Sequence, residues 1–436
     1  MKKLILIGLL LFNMTSVFAS DDCRGEFQHN VLIHGIGGSE TSFGVMDEVL
    51  EKYIPCSKSH YFVYDTKDSR LTILDFAKRL AVFLQGIGKT QDKDLNLIMH
   101  SQGGLVGLTY LYNSYKELKG FDATNLPRIN NFISLSTPFW GSDFALIGKF
   151  FFFGLNFKKN FLSPFGKAQL RDMKYGSKFL EDQTSYLFSQ DNRTFLNFLA
   201  REINVLNISG MGPYSRSYLK RIGSQFFEGD LVVNIPSMTI NTLNASANSL
   251  DYSEGVTQFL ETIPSSPAQQ AYVIGTHMNV YYGTIGYGIV DIPKSCLDLA
   301  NCKHPGFNTL YDFLTTGEVR TNTSIERMIK GFELHISVDF PKEISDLKDA
   351  RIVIMKKKKK DVSLSHYRFK KKKQRAIRIN NKEKRGHYLI KGSLRSQSPT
   401  TSIELEIRHP EIVTRRVVLQ VEKGKATFLK IKVKAN

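Results

Sequence analysis

The segment Asn96-Leu97-Ile98-Met99-His100-Ser101-Gln102-Gly103-Gly104 constrains this chain more than any other, because an apolar run ends abruptly in a serine followed by two glycines. Leu95 to Met99 reads as a buried strand, and Gly104 to Leu118 carries apolar residues at helical spacing. A strand that passes into a helix through one sharp turn crowds its own backbone. Small neighbours are then needed, and one side chain is lifted into the open. Ser101 is that side chain. The pattern for such an elbow is G-x-S-x-G, and Met99 stands where its first glycine belongs. The flanking strand and helix therefore carry the assignment; without them, a serine beside glycines reads as an ordinary turn.

The neighbouring segments supply the rest of a parallel sheet. Gln28 to His34 (QHNVLIH) is a short strand running into Gly35-Ile36-Gly37-Gly38, with a helical stretch from Ser42 to Tyr53. His60 to Tyr64 is a strand and Leu71 to Gln85 a helix. After the elbow helix, Ile129 to Ser136 is a buried strand that ends in Thr137-Pro138-Phe139-Trp140-Gly141-Ser142. Alternation of strand and helix predicts parallel strands joined by right-handed crossovers.

Three motifs, VLIHGIGG at 31–38, MHSQGG at 99–104 and STPFWGS at 136–142, together resemble the α/β-hydrolase superfamily and within it the lipases and related esterases. The resemblance covers about residues 28–316. It implies an α/β-hydrolase fold, acyl transfer through Ser101, and an oxyanion hole made by the backbone N–H groups of Ile36 and Gln102. It implies no cofactor and no catalytic metal. Some lipases of this kind hold a structural calcium ion, and no clustered carboxylate loop here points to one. Residues 143–202 read as a helical insertion. Its apolar opening, Phe144 to Phe153, fits either a buried core helix or a lid that meets lipid. Ile203 to Ile208 then resumes the sheet.

A serine nucleophile needs a base and an acid that orients the base, in the chain order Ser, acid, His for this fold. Asp230, in Glu228-Gly229-Asp230-Leu231-Val232-Val233, resembles the Asp-Gly-x-Val type of segment that carries the acid in bacterial lipases. Here Gly229 precedes the aspartate, which keeps Glu228 as a competitor. His277 follows the strand Ala271 to Ile274 and is the expected base. His304 is expected at the start of a closing helix, while His34 and His100 sit inside the first two motifs and precede the acid.

The net charge of +18 is unevenly placed. Residues 320–436 hold 31 Lys and Arg against 12 Asp and Glu, a net of +19, which leaves −1 for everything before them. This break predicts a boundary near 317–323 between an α/β-hydrolase domain, 20–317, and a basic domain, 324–436. Alternating apolar and polar residues from Phe332 onward predict a small antiparallel β-sandwich. Two basic runs, Lys356 to Lys360 and Lys370 to Lys373, read either as a solvated face or as attachment to an anionic membrane or envelope surface; nucleic acid is not expected as a partner.

Residues 1–19 have the basic, apolar and small-residue regions of a signal peptide, which predicts an exported protein, periplasmic or secreted. An oxidising compartment turns the four cysteines into a disulfide framework. Cys23–Cys56 with Cys296–Cys302 is the simplest of the three pairings. The expected function is hydrolysis of carboxylic esters, with lipid as substrate. An acyltransferase on the same triad and a non-catalytic surface-binding protein on this fold are the alternatives.

Overall fold

The computed structural model describes Cys23 and residues 27–436 with the exception of 89–94, 122–127, 143–164, 189–192, 213–228, 231, 278–287, 321, 345–346, 348, 356–361, 365–376, 383–384 and 395–396. The signal segment, the apolar opening of the insertion, Glu228 and both lysine runs lie outside the described residues.

Six strands form one parallel sheet: β1 (Gln28–Ile33), β2 (Ser57–Phe62), β3 (Leu95–His100), β4 (Ile129–Leu135), β5 (Asn204–Met211) and β9 (Gln269–Ile274). Their order is β2-β1-β3-β4-β5-β9. Successive residues of a strand face opposite ways, and here both faces are covered. Val31, Ile33, Leu97 and Met99 pack against α2 (Ile73–Gly88) and α3 (Gln102–Tyr115). Leu32, Ile98, Ile133 and Ile208 pack against α1 (Met46–Tyr53) and the closing helix α7 (Pro305–Thr316). This explains why β3 is buried along its whole length and reads as a continuous apolar run. Between β4 and β5 the described part of the insertion is helical, as expected: α4 (Lys167–Asp172), α5 (Lys178–Phe188) and α6 (Arg193–Glu202).

A row of polar residues within these strands is paired across the sheet. At the start of the sheet, Asn131 Nδ2 donates to Asn96 Oδ1 at 2.6 Å, Asn96 Nδ2 to Asn30 Oδ1 at 2.8 Å, and Asn30 Nδ2 to Ser57 Oγ at 2.7 Å. The chain of amides crosses four strands in the buried interior, where each unpaired group would cost about 1–3 kcal/mol. At the other end, the chain leaves β1 outward to β2 and returns across it to β3. The loops after β1 and β3 therefore diverge, and a crevice opens at that switch point.

The C-terminal region builds two further sheets. One has the order β12-β14-β10-β17-β6-β8, with β13 also on β14; the other is β11-β15-β16-β7. Their strands are β10 (Gly331–Asp339), β11 (Arg351–Ile354), β12 (Val362–Leu364), β13 (Ile377–Lys382), β14 (Arg385–Leu394), β15 (Thr400–Arg408), β16 (Arg415–Glu422) and β17 (Ala426–Lys432), joined by β6 (Thr242–Ala247), β7 (Thr257–Phe259) and β8 (Ile263–Ser265). The core between them takes Phe332, Leu334, Ile336 and Val338 from β10 and Leu405, Val417 and Leu419 from β15 and β16. A boundary at 317–323 does not separate these sheets from the rest of the chain. The segment 242–265 precedes His277 in sequence and belongs to the sandwich: β6 runs parallel to β17 in a register of Thr242 with Ala426 through Ala247 with Ile431. Its residues, Thr-Leu-Asn-Ala-Ser-Ala, are too small to announce a strand by hydrophobic alternation.

Both expected cysteine pairs are bonded, Cys23 to Cys56 and Cys296 to Cys302. Among the described residues no helix is long and apolar enough to cross a membrane.

Candidate active site

Ser101 sits between β3 and α3 with φ 53° and ψ −122°, in the positive-φ region that L residues avoid. Such a residue stores about 1–3 kcal/mol and persists only where its surroundings enforce it. The surroundings here are close backbone and side-chain contacts that only glycine admits. A Cβ on Gly35 would lie 2.7 Å from Ser101 Cβ, one on Gly103 2.4 Å from the Ile33 carbonyl oxygen, and one on Gly104 1.9 Å from Thr137 Oγ1. Gly35 and Gly103 are thus explained by one crowded point where β1, β3 and α3 meet, and Gly104 by the close approach of Thr137 after β4.

Met99 in place of the expected first glycine has its own explanation. A Cβ on Gly107, in α3, would come within 2.2 Å of Met99 Sδ. The helix supplies the space that the strand residue fills.

His277 leaves the end of β9. Its Nε2 is 2.8 Å from Ser101 Oγ, and its Nδ1 is 2.6 Å from Asp230 Oδ2. All three residues are buried. The carboxylate can only accept, so Nδ1 carries the proton and Nε2 is left to accept the serine hydroxyl. Asp230 is itself held: its Oδ1 receives the amides of Val232 at 3.0 Å and Val233 at 2.8 Å, and its carbonyl receives the His277 amide at 3.0 Å. Gly210 on β5 lets this turn approach, since a Cβ there would be 3.0 Å from Asp230 Cβ.

The amides of Ile36 and Gln102 make no hydrogen bond to another described residue. Ile36 and Ser101 line one hollow together with Pro138, Met173, Val233 and His277. The Gln102 side chain donates to Gln169 Oε1 at 3.3 Å, which ties the start of α3 to α4 of the insertion.

The three other histidines in or near the motifs, His34, His100 and His304, have structural settings. His34 stacks on Tyr64, its Nδ1 bonds the Gly35 carbonyl, and burial lowers its pKa. His100 lies beside the His277 ring, and burial, with His277 adding to it, holds it well below the usual histidine value. His304 caps α7: its Nδ1 accepts from the Phe307 amide at 3.0 Å, its Nε2 bonds the Gly288 carbonyl at 2.8 Å, and burial again lowers its pKa.

Sequence reasoning missed Ser142, whose hydroxyl donates to the Val232 carbonyl at 2.6 Å and so joins the third motif to the Asp230 turn. It also missed Asn234, at the close of that turn. The serine stood in the STPFWGS motif, but nothing in the pattern named its partner.

The architecture carries six parallel strands with helices on both faces, and a strained serine at the switch point. Over 94% of its length it superposes on 94% of phospholipase PlaB from Legionella pneumophila in complex with thio-NAD, with a TM-score of 0.61 at 13% identity. The chain has the α/β-hydrolase fold. A second structure of that phospholipase gives a TM-score of 0.58 at 12% identity, with 94% of each chain covered. Residues 28–187 match the family described as "Putative serine esterase (DUF676)", so the likeness to serine esterases extends to sequence over the part that holds Ile36, Ser101 and Gln102. Among curated proteins none matches.

Proposed function

We propose that this α/β-hydrolase cleaves carboxylic esters of lipids through an acyl-enzyme, with Ser101 as nucleophile, His277 as base and Asp230 as the orienting acid. The observation that carries the reading is the pair of hydrogen bonds, 2.8 and 2.6 Å, that links Ser101, His277 and Asp230 in a buried line. Ser101 Oγ attacks the ester carbonyl carbon while its proton passes to His277 Nε2. The carbonyl oxygen becomes an oxyanion between the amides of Ile36 and Gln102, each worth roughly 3 kcal/mol to the transition state. The tetrahedral intermediate then collapses. The ester C–O bond breaks, and the leaving alcohol takes the proton from His277. Water, deprotonated by the same nitrogen, next attacks the acyl-serine and releases the acid.

The lipid part of the reading rests on the apolar walls of the hollow and on the likeness to a protein described as a phospholipase. Export rests on the two disulfides and on the signal-like residues 1–19.

A fluorophosphonate probe tests the chemistry on the full chain. Wild type is expected to be labelled, and Ser101→Ala is not. His277→Ala and Ser101→Ala should each lose several powers of ten in ester turnover, with the double variant little worse, since the residues act as one unit. Unchanged labelling of Ser101→Ala would end the enzyme reading. A graded series of ester chain lengths, with an added alcohol acceptor, then fixes the substrate and separates hydrolysis from transfer.

A further inference from the structure

Glu333 is a carboxylate at 1% exposure, on the face of β10 that turns away from the sandwich core. Charges so buried are costly unless well paired, and they rarely add stability over an apolar residue of the same size. Its pairing crosses to the catalytic half of the chain. Oε1 accepts from Tyr175 Oη at 2.7 Å and from Asn234 Nδ2 at 3.2 Å. Oε2 lies 3.2 Å from His335 Nε2, and Lys391 Nζ lies 3.9 Å from Oε1 and 3.9 Å from the centre of the Tyr175 ring.

The two donors come from two segments that border the hollow at Ser101, one through Val232 and Val233 and the other through Met173. Asn234 follows directly on Val232 and Val233, whose amides hold Asp230 Oδ1, and it closes the turn by pairing with Gly229. Tyr175 packs on Gly141, which sits at φ +120° and where a Cβ would be 2.8 Å from the Tyr175 ring. Gly141 precedes Ser142, and Ser142 reaches back to the Val232 carbonyl. One oxygen of Glu333 therefore gathers the turn that carries Asp230 and the segment packed on Gly141.

We infer that Glu333 is a positioning residue for the reaction, acting through Asn234 and Tyr175 to hold the Asp230 turn, so that the C-terminal sandwich supplies part of the active site's support. The inference rests on Asp230 being the triad acid. A carboxylate displaced by as little as about 1 Å can cost roughly a hundredfold in rate, while binding of a substrate that never touches Glu333 is left alone.

The test uses the full-length chain with Glu333→Ala, Glu333→Gln and Asn234→Ala, each in the natural and in an Asp230→Asn background. The readouts are kcat and KM on a soluble p-nitrophenyl ester and the rate of fluorophosphonate labelling. Glu333→Ala is expected to lower kcat and the labelling rate by roughly 10- to 100-fold with KM within about twofold. Glu333→Gln keeps an acceptor oxygen for Tyr175 and Asn234 and should recover most of that loss. In the Asp230→Asn background, Glu333→Ala should have little further effect, because the group it positions is already lost. Should Glu333→Ala fail to fold, the same cycle is read from Asn234→Ala, which keeps the sandwich intact. Equal losses in both backgrounds, or an unchanged kcat in Glu333→Ala, would overturn the inference. If Asp230→Asn alone has no effect, the triad reading itself has failed, a different result.

Discussion

Gly107→Ala isolates the exchange of space between strand and helix behind Ser101. A methyl at 107 would sit 2.2 Å from Met99 Sδ, 3.4 Å from Met99 Cε and 3.5 Å from Phe132 Cε2. Ordinary contacts lie at about 3.5–4.0 Å, so the sulfur must retreat by more than about 1 Å within a fully buried layer. Overpacking of this kind costs about 1–3 kcal/mol. Alanine is a better helix former than glycine by about 1 kcal/mol, which offsets part of it. The net expectation is a destabilisation of roughly 0–2 kcal/mol.

Met99→Ala instead empties the space and should cost about 2–5 kcal/mol. In the double variant the added methyl has nothing to collide with and the helix gain remains. It should therefore be more stable than Met99→Ala alone by about 1 kcal/mol, a coupling of roughly 1–3 kcal/mol against the additive sum. Urea unfolding followed by the fluorescence of Trp140, the chain's one tryptophan, measures all four corners of the cycle. If Gly107→Ala is as destabilising in the Met99→Ala background as it is beside the natural methionine, to within about 0.5 kcal/mol, Met99 does not occupy what Gly107 vacates and the account of the departed elbow pattern is refuted.

Two further outcomes are expected. Asn96→Leu breaks the amide chain in the middle and leaves Asn131 Nδ2 and Asn30 Oδ1 without their partners, at about 1–3 kcal/mol for each orphaned group; a melting temperature unchanged from wild type would show that the chain is ornamental. The second concerns pH. His34, His100 and His304 all have pKa values lowered by burial from 6.5, so below that pH the unfolded chain binds more protons than the folded one. Their contribution to stability is full above pH 6.5 and is lost as pH falls through 6.5 toward the lowered folded values. Asp172, raised by burial, works in the opposite sense, but it is one group against three. Thermal melts should fall between about pH 7.5 and 5.5, and His304→Gln should flatten the slope; a level profile in wild type would contradict the assignment of these rings as neutral and structural.

What could be read from the sequence follows from how local each signal is. The elbow strand, its helix and the neighbouring parallel strands are buried on both faces, so their apolar runs stand out without knowledge of their neighbours. Chain order and a strand end pointed to His277 and Asp230, and the fold brings both to Ser101. Two acids flanking one glycine are not told apart by pattern alone, and Glu228 lies outside the described residues. The contacts of Ser142 and Asn234 left no trace, since each is made with a partner 90 or more residues away.

The charge break at 320 misled for a physical reason. Charge is a property of exposed faces, whereas a sheet is assembled by backbone pairing and small buried side chains. Strand β6 is uncharged, short and built of Thr, Leu, Asn, Ala and Ser, so no excess of lysine marks it as part of the basic region. Yet its register with β17 runs over six residues, and Trp140 of the third motif meets Phe428 of β17 edge-on at 4.7 Å. A chain cut at Thr316 would leave β6 with an unpaired edge and Trp140 without its aromatic neighbour, only a short step along the backbone from Ser142. The excess of positive charge begins at residue 320, but the sheet that carries Glu333 draws strands from both sides of that point.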